Sequence, residues 1–168
     1  MAILPIIILP DPILRKISDP VEHIDSAVLK LMDDMLETMY DAPGIGLAAI
    51  QVGVPKRIVV LDIADDGEPK KPLAMANPEI IKMGSTTRVY EEGCLSIPDV
   101  RVDIERPETV TVSYIGRDGR PHELAAEGLL ATAIQHELDH LDGQLIIDFL
   151  SRLKRDMIVR KFKKQTRD

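Results

Sequence analysis

Two histidines four residues apart, His136 and His140, constrain this chain more than any other feature. Four residues is just over one helical turn, so on a helix both imidazoles stand on the same face, one above the other. The surrounding residues favour that helix. Leu129, Leu130, Ala133, Ile134, Leu138 and Leu141 give it an apolar side, and Gly143 ends it. The spacing predicts a helix over residues 127–141. A mostly apolar helix that carries two imidazoles and a carboxylate belongs inside the molecule, with the other elements wrapped around it.

The same segment reads H-E-x-x-H, from His136 through Glu137 to His140. Both rings can reach one divalent ion, and Glu137 can reach a water on that ion without ligating it. Such an ion lowers the pKa of bound water to about 7, and the neighbouring carboxylate can take and relay the proton. A catalytic site of this kind needs a third protein ligand and one open position. A third histidine six residues after His140 would fall at Ile146, and no glutamate follows Glu137. The downstream aspartates, Asp139, Asp142, Asp148, Asp156 and Asp168, have no supporting motif. The third ligand is therefore expected upstream, and Cys94 is the best candidate. An isolated cysteine is ordinarily a small buried hydrophobe, but beside an incomplete pair of imidazoles its thiolate is a strong ligand.

The 168 residues suffice for one domain with a real core, and no repeat or linker divides residues 1–168. With two Phe, three Tyr and no Trp, that core relies on Ile, Leu, Val and Met. Asp25 or Ser26 caps an expected helix to about Tyr40, with Val28, Leu31, Met32, Met35, Leu36 and Met39 at helical spacing and Pro43-Gly44 as its stop. A third helix is expected over 149–164, and β-type runs over 57–63, 73–75, 89–92 and 110–115, the last followed by the turn signal Asp118-Gly119. Helices and strands without a βαβ rhythm imply an α+β fold: short mixed or antiparallel sheets packed around the central H-E-x-x-H helix, with a C-terminal helix. The net charge of −7 argues against DNA as a partner. The single cysteine fits a reducing cytosol. The apolar opening residues 1–10 lack a basic leader, are too short to span a bilayer and are broken by Pro5 and Pro10, so a cytoplasmic protein is expected.

Three segments together resemble the bacterial peptide deformylase family. They are Gly44-Ile45-Gly46-Leu47-Ala48-Ala49-Ile50-Gln51, Glu92-Gly93-Cys94-Leu95-Ser96, and Gln135-His136-Glu137-Leu138-Asp139-His140. They match the family's G-x-G-L-A-A-x-Q, E-G-C-L-S and Q-H-E-x-D-H signatures in order, and the likeness extends over nearly the whole chain. The resemblance implies hydrolytic removal of the formyl group from the N-terminal formyl-methionine of newly made proteins, releasing formate. It makes Cys94, His136 and His140 the ligands of one iron(II) ion, with zinc, nickel or cobalt able to replace it, and Glu137 the general acid/base for attack of metal-bound water on the formyl carbon. It gives Gln51 and the backbone N–H of Leu95 to the developing oxyanion. Ile45, Gly46 and Gly93 would offer backbone groups to an extended N-formylmethionyl peptide, and Tyr90, Leu129 and Ala133 would line the side-chain pocket, although each is equally plausible as plain core. Glu92 with Arg106 would form a supporting ion pair by the same likeness. His23 and His122 have no partner at metal spacing and read as surface residues.

The tail is basic, with Arg152, Lys154, Arg155, Arg160, Lys161, Lys163, Lys164 and Arg167 against Asp156. A solvated helix face is the ordinary reading; docking on ribosomal RNA near the nascent-chain exit is the alternative, which the resemblance also suggests. Two rivals to a deformylase stay open. A metallopeptidase would share the His-Glu-His chemistry, and a metal-stabilised binding module would ordinarily close its site with four protein ligands.

Overall fold

The run Ile58-Val59-Val60-Leu61 has no polar residue on either side of the pleat, and all four side chains are buried. A strand of this composition needs cover on both faces, and it has it. The computed structural model describes residues 2–167, with side chains through Thr166. This strand, β2 (Ile58–Leu61), lies inside a five-stranded antiparallel sheet with β1 (Gly46–Ala48), β3 (Leu73–Met83), β6 (Thr109–Ile115) and β7 (Pro121–Glu127), in the order β1-β2-β3-β6-β7. Helix α1 (Ser26–Asp41) covers one face and helix α2 (Gly128–Leu141) the other.

The alternation along the strands assigns each residue to a helix. Ile58, Val60, Ala74 and Ala76 meet Met32, Met35 and Met39 of α1. Val59, Leu61, Met75 and Val112 meet Ala131, Ile134 and Leu141 of α2. The three α1 methionines are fully buried, each stabilising the fold by about 1.5–3 kcal/mol. Helix α1 begins where expected, with the Asp25 carboxylate accepting from the Val28 N–H at 2.9 Å.

A separate two-stranded ribbon pairs β4 (Thr87–Cys94) with β5 (Ile97–Pro107). Its inner side chains, Ile97, Val102 and Ile104, pack with Leu145, Ile146, Ile147 and Phe162, the last from α3 (Arg152–Arg167). The three helices and the antiparallel sheets around α2 give the α+β class. Several elements differ from the sequence reading. Strand β3 extends well beyond 73–75, and α3 starts at Arg152 because 146–149 forms a separate helical turn. Strands β1, β5 and β7 were not expected. Charged residues alternate with the buried Val102, Ile104 and Arg106 of β5, and Pro98 and Pro107 obscure the pattern. In β7 the Glu-Leu-Ala-Ala-Glu sequence favours a helix, but pairing with β6 overrides it, with Pro121 at the first position of an edge strand where a missing N–H is tolerated.

Candidate metal centre

Helix α2 turns one stripe toward a cavity of about 740 Å³: Leu129, Thr132, Ala133, His136 and Glu137, the i, i+3, i+4, i+7, i+8 positions of one helix face. The opposite wall comes from two edge strands. β1, at the margin of the five-stranded sheet, brings Gly46, with Ile45 just before it, and β4 brings Tyr90, Gly93 and Cys94 with Leu95 of the following turn. Gln51 enters from the helical turn after β1. All the residues read in the sequence as ligands, catalytic groups or substrate contacts line this space except His140, which is 1% exposed and lies one turn beyond His136.

The thiol is positioned by a slip in the β4–β5 ladder between Gly93 and Cys94, at the end of β4. Its Sγ stands 3.4 Å from His140 Nε2, and one ligand atom from each of Cys94, His136 and His140 lies within 4.8 Å of the others. Donors at ~2.0–2.3 Å from one ion fit a cluster of that size. The His136 Nδ1 lies 3.0 Å from Glu92 Oε1, which leaves Nε2 for the centre. Arg106 fixes Glu92 in turn, donating from Nε to Oε2 at 2.7 Å and from Nη2 to Oε1 at 3.0 Å, while its Nη1 donates to Asp139 Oδ2 at 2.9 Å. The pair read by resemblance as a supporting one is thus buried.

The electrostatics favour one positive charge at this point. Burial works against the Glu92 anion, yet the hydrogen bonds from His136 and Arg106 hold its pKa below the usual value. Burial likewise opposes a charged His136, but Glu137, Cys94 and Glu92 together raise its pKa well above normal. His140 goes the other way: burial, then the charges of His136 and Arg106, keep it neutral. Burial raises the Glu137 carboxyl to about 7, against the opposing pull of His136. Glu137 Oε1 is buried without a hydrogen-bond partner among the described residues. A soft thiolate, two imidazoles and an unpaired carboxylate oxygen fit a divalent ion.

Gln51 is clamped by its neighbours. Its Oε1 accepts from the Ala48 N–H at 2.9 Å, and its Nε2 donates to Ser96 Oγ at 3.0 Å, with Cys94 Sγ at 3.6 Å. Gly46 permits the closest approach in the site: a Cβ there would strike Glu137 Oε2 and stand 2.9 Å from its Cδ. A Cβ on Gly93 would meet the Arg101 guanidinium, whose Nη1 would lie 2.9 Å away. Several cavity and support residues were not singled out in the sequence, among them Thr132, Asp139 and Arg101. Thr132 lies one turn before His136 and was findable from helical spacing; Asp139 lies inside the quoted motif; Arg101 is paired with Gly93 only through the β4–β5 register. His23 and His122 are exposed, and His122 bonds Asp118 rather than the centre.

An α+β fold whose central helix sets two imidazoles and a buried carboxylate against a thiol fits the metallohydrolase class. The profile of the polypeptide deformylase family matches residues 3–156. The chain belongs to that family, a family of metal-dependent hydrolases that remove the formyl group from an N-terminal methionine. It is 59% identical to the peptide deformylase of Rhizobium meliloti over 98% of this chain and 94% of the relative. It is also 59% identical to that of Agrobacterium fabrum, over 99% and 98%. Among solved structures, peptide deformylase from Ehrlichia chaffeensis in complex with actinonin superposes with a TM-score of 0.94 at 40% identity, covering 100% of both chains. The Legionella pneumophila peptide deformylase gives 0.89 at 47% identity over 99% of this chain and 96% of that one.

Proposed function

We propose that residues 1–168 act as one catalytic domain that deformylates N-formylmethionyl nascent peptides, with Cys94, His136 and His140 holding one divalent ion, iron(II) by family resemblance. Zinc, nickel or cobalt suit the same donors. The observation that carries this reading is the donor triangle with the unpartnered Glu137 oxygen beside it. When bound, the ion supplies Lewis-acid chemistry, acidifying water and polarising the formyl carbonyl.

The remaining chemistry belongs to the chain. Glu137, whose carboxyl burial makes more basic than an exposed one, takes the proton of the attacking water and returns it to the departing amine nitrogen. The Gln51 Nε2 and the Leu95 N–H donate to the carbonyl oxygen as it becomes negative. Strands β1 and β4 each carry a free edge beside the cavity, so Ile45, Gly46 and Gly93 receive the peptide as an added strand. Tyr90, Leu129 and Ala133 take up the methionine side chain.

The test is formate release from formyl-Met-Ala-Ser by anaerobic, iron-loaded protein beside Glu137→Ala. Rapid release that collapses in the variant is expected. No release from protein with one ion per chain would overturn the reading.

No helix of the described residues is long and apolar enough to cross a membrane. A cytoplasmic enzyme at the ribosome is the setting we assign, with the exposed Lys154, Arg160, Lys161, Lys163 and Lys164 of α3 facing ribosomal RNA. The Arg167 side chain lies outside the described residues. Ribosome co-sedimentation that survives deletion of 152–168 would remove this docking role.

A further inference from the structure

The cavity face of α2 contains one polar side chain with no part in the reaction above. Thr132 is only 5% exposed and lines the cavity on the stripe between Leu129 and His136. A buried helical threonine ordinarily returns its hydroxyl to the carbonyl four residues back. Thr38 in α1 does so, donating to the Asp34 carbonyl at 2.7 Å. The side-chain hydrogen bonds of α2 involve Gln135, His136, Asp139 and His140, and Thr132 joins none of them among the described residues. Across the cavity stands Tyr90, its ring under the Arg88 guanidinium at 4.7 Å. Its hydroxyl reaches the first turn of α2, 3.8 Å from where a Cβ on Gly128 would stand, and it too has no hydrogen bond among the described residues.

Neither hydroxyl oxygen is among the buried atoms without a partner, so both open onto the cavity. A ligand that carries an acceptor beside them can take the place of water. Methionine sulfoxide keeps the length of methionine and adds one strong acceptor at sulfur. We infer that the side-chain cavity accepts peptides beginning with N-formylmethionine sulfoxide, with Thr132 as a specificity-determining donor to the sulfoxide oxygen and Tyr90 as the second donor. The inference rests on the deformylase reading. The reaction is unchanged: water cleaves the formamide C–N bond, its oxygen goes to formate and its proton to the amine, and the sulfoxide leaves unreduced.

The experiment compares kcat/KM for formyl-Met-Ala-Ser and both sulfoxide epimers of that peptide, with dissociation constants for Met-Ala-Ser and its sulfoxides as a second readout. Wild type should prefer the thioether over the better epimer by less than about thirtyfold. Thr132→Val should widen that ratio at least about fivefold in both readouts, as loss of a donor to a buried acceptor does, and Thr132→Ser should restore it. Tyr90→Phe tests the second donor independently, and should widen the ratio as well. A wild-type preference above thirtyfold, or a ratio that neither Thr132→Val nor Tyr90→Phe widens, overturns the inference. Formate from neither peptide would overturn the deformylase reading itself, and this one with it.

Discussion

The cavity face of α2 has two halves that are held very differently. Toward its C-terminal end, His136 is tied to Glu92, Glu92 to Arg106, and Arg106 to Asp139 on the same helix, in a closed set of hydrogen bonds that is buried except at Asp139. Toward its N-terminal end, Leu129 is 40% exposed, Ala133 is small, and neither Thr132 nor the facing Tyr90 has a bonded partner among the described residues. One helix thus carries an over-determined half, where a ring must stay within a fraction of an ångström, and an uncommitted half that has only to accommodate. Changes in the first half should cost turnover or the ion itself. Changes in the second should redistribute preference among substrates.

The largest effect expected is from Glu137→Gln, which keeps the volume but removes the base: formate release should fall about 10⁴-fold at unchanged ion content. An activity within tenfold of wild type would put the proton transfer elsewhere. Gln51→Ala should lower kcat by about 10²–10³ with KM little altered, because the donor serves mainly the developing oxyanion. A selective rise in KM would instead make Gln51 a ground-state binder. Glu92→Gln should weaken the ion about 10–100-fold, read by competition with a chelator, since the neutral amide orients His136 less firmly. Leu129→Ala, in the uncommitted half, should cost only roughly tenfold in kcat/KM for formyl-methionine and leave ion affinity alone. If it loosened the ion as much as Glu92→Gln does, the two halves would not be separable.

The smallest signal is thermodynamic. In ion-free protein the buried Glu137 carboxyl titrates at about 7 rather than at its usual value of 4.5. A raised folded-state value means that stability is full below about 4.5 and declines as pH rises through 7. Tm of chelated protein should therefore fall across that window, and Glu137→Gln should flatten the fall. An equal slope in the variant would assign it to other groups.

Much of the site was legible because chemistry there depends on short spacings. His136, Glu137 and His140 announce themselves within five residues, and the three signatures place Cys94 and Gln51 beside them. Helices α1 and α2 were legible for a related reason: Met32, Met35 and Met39, like Leu130, Ile134, Leu138 and Leu141, repeat at the helical period. What lay hidden depends on register. The Arg101–Gly93 contact exists only because two strands pair in one alignment, and no local pattern encodes it. Nor does the sequence of β7 reveal a strand, since its local preference is helical and β6 decides the outcome.

The approach of β1 to Glu137 has a consequence for escape from inhibition. Every amino acid other than glycine brings a Cβ, and at position 46 that atom would displace the Glu137 carboxylate, the group to which we assign proton transfer. An inhibitor that bonds to the Gly46 backbone therefore presses on a surface the gene has no means of redrawing without disarming the enzyme. Leu129, Thr132 and Tyr90, in the other half of the cavity, carry no such contact with Glu137 and are where substitution is expected to alter fit first.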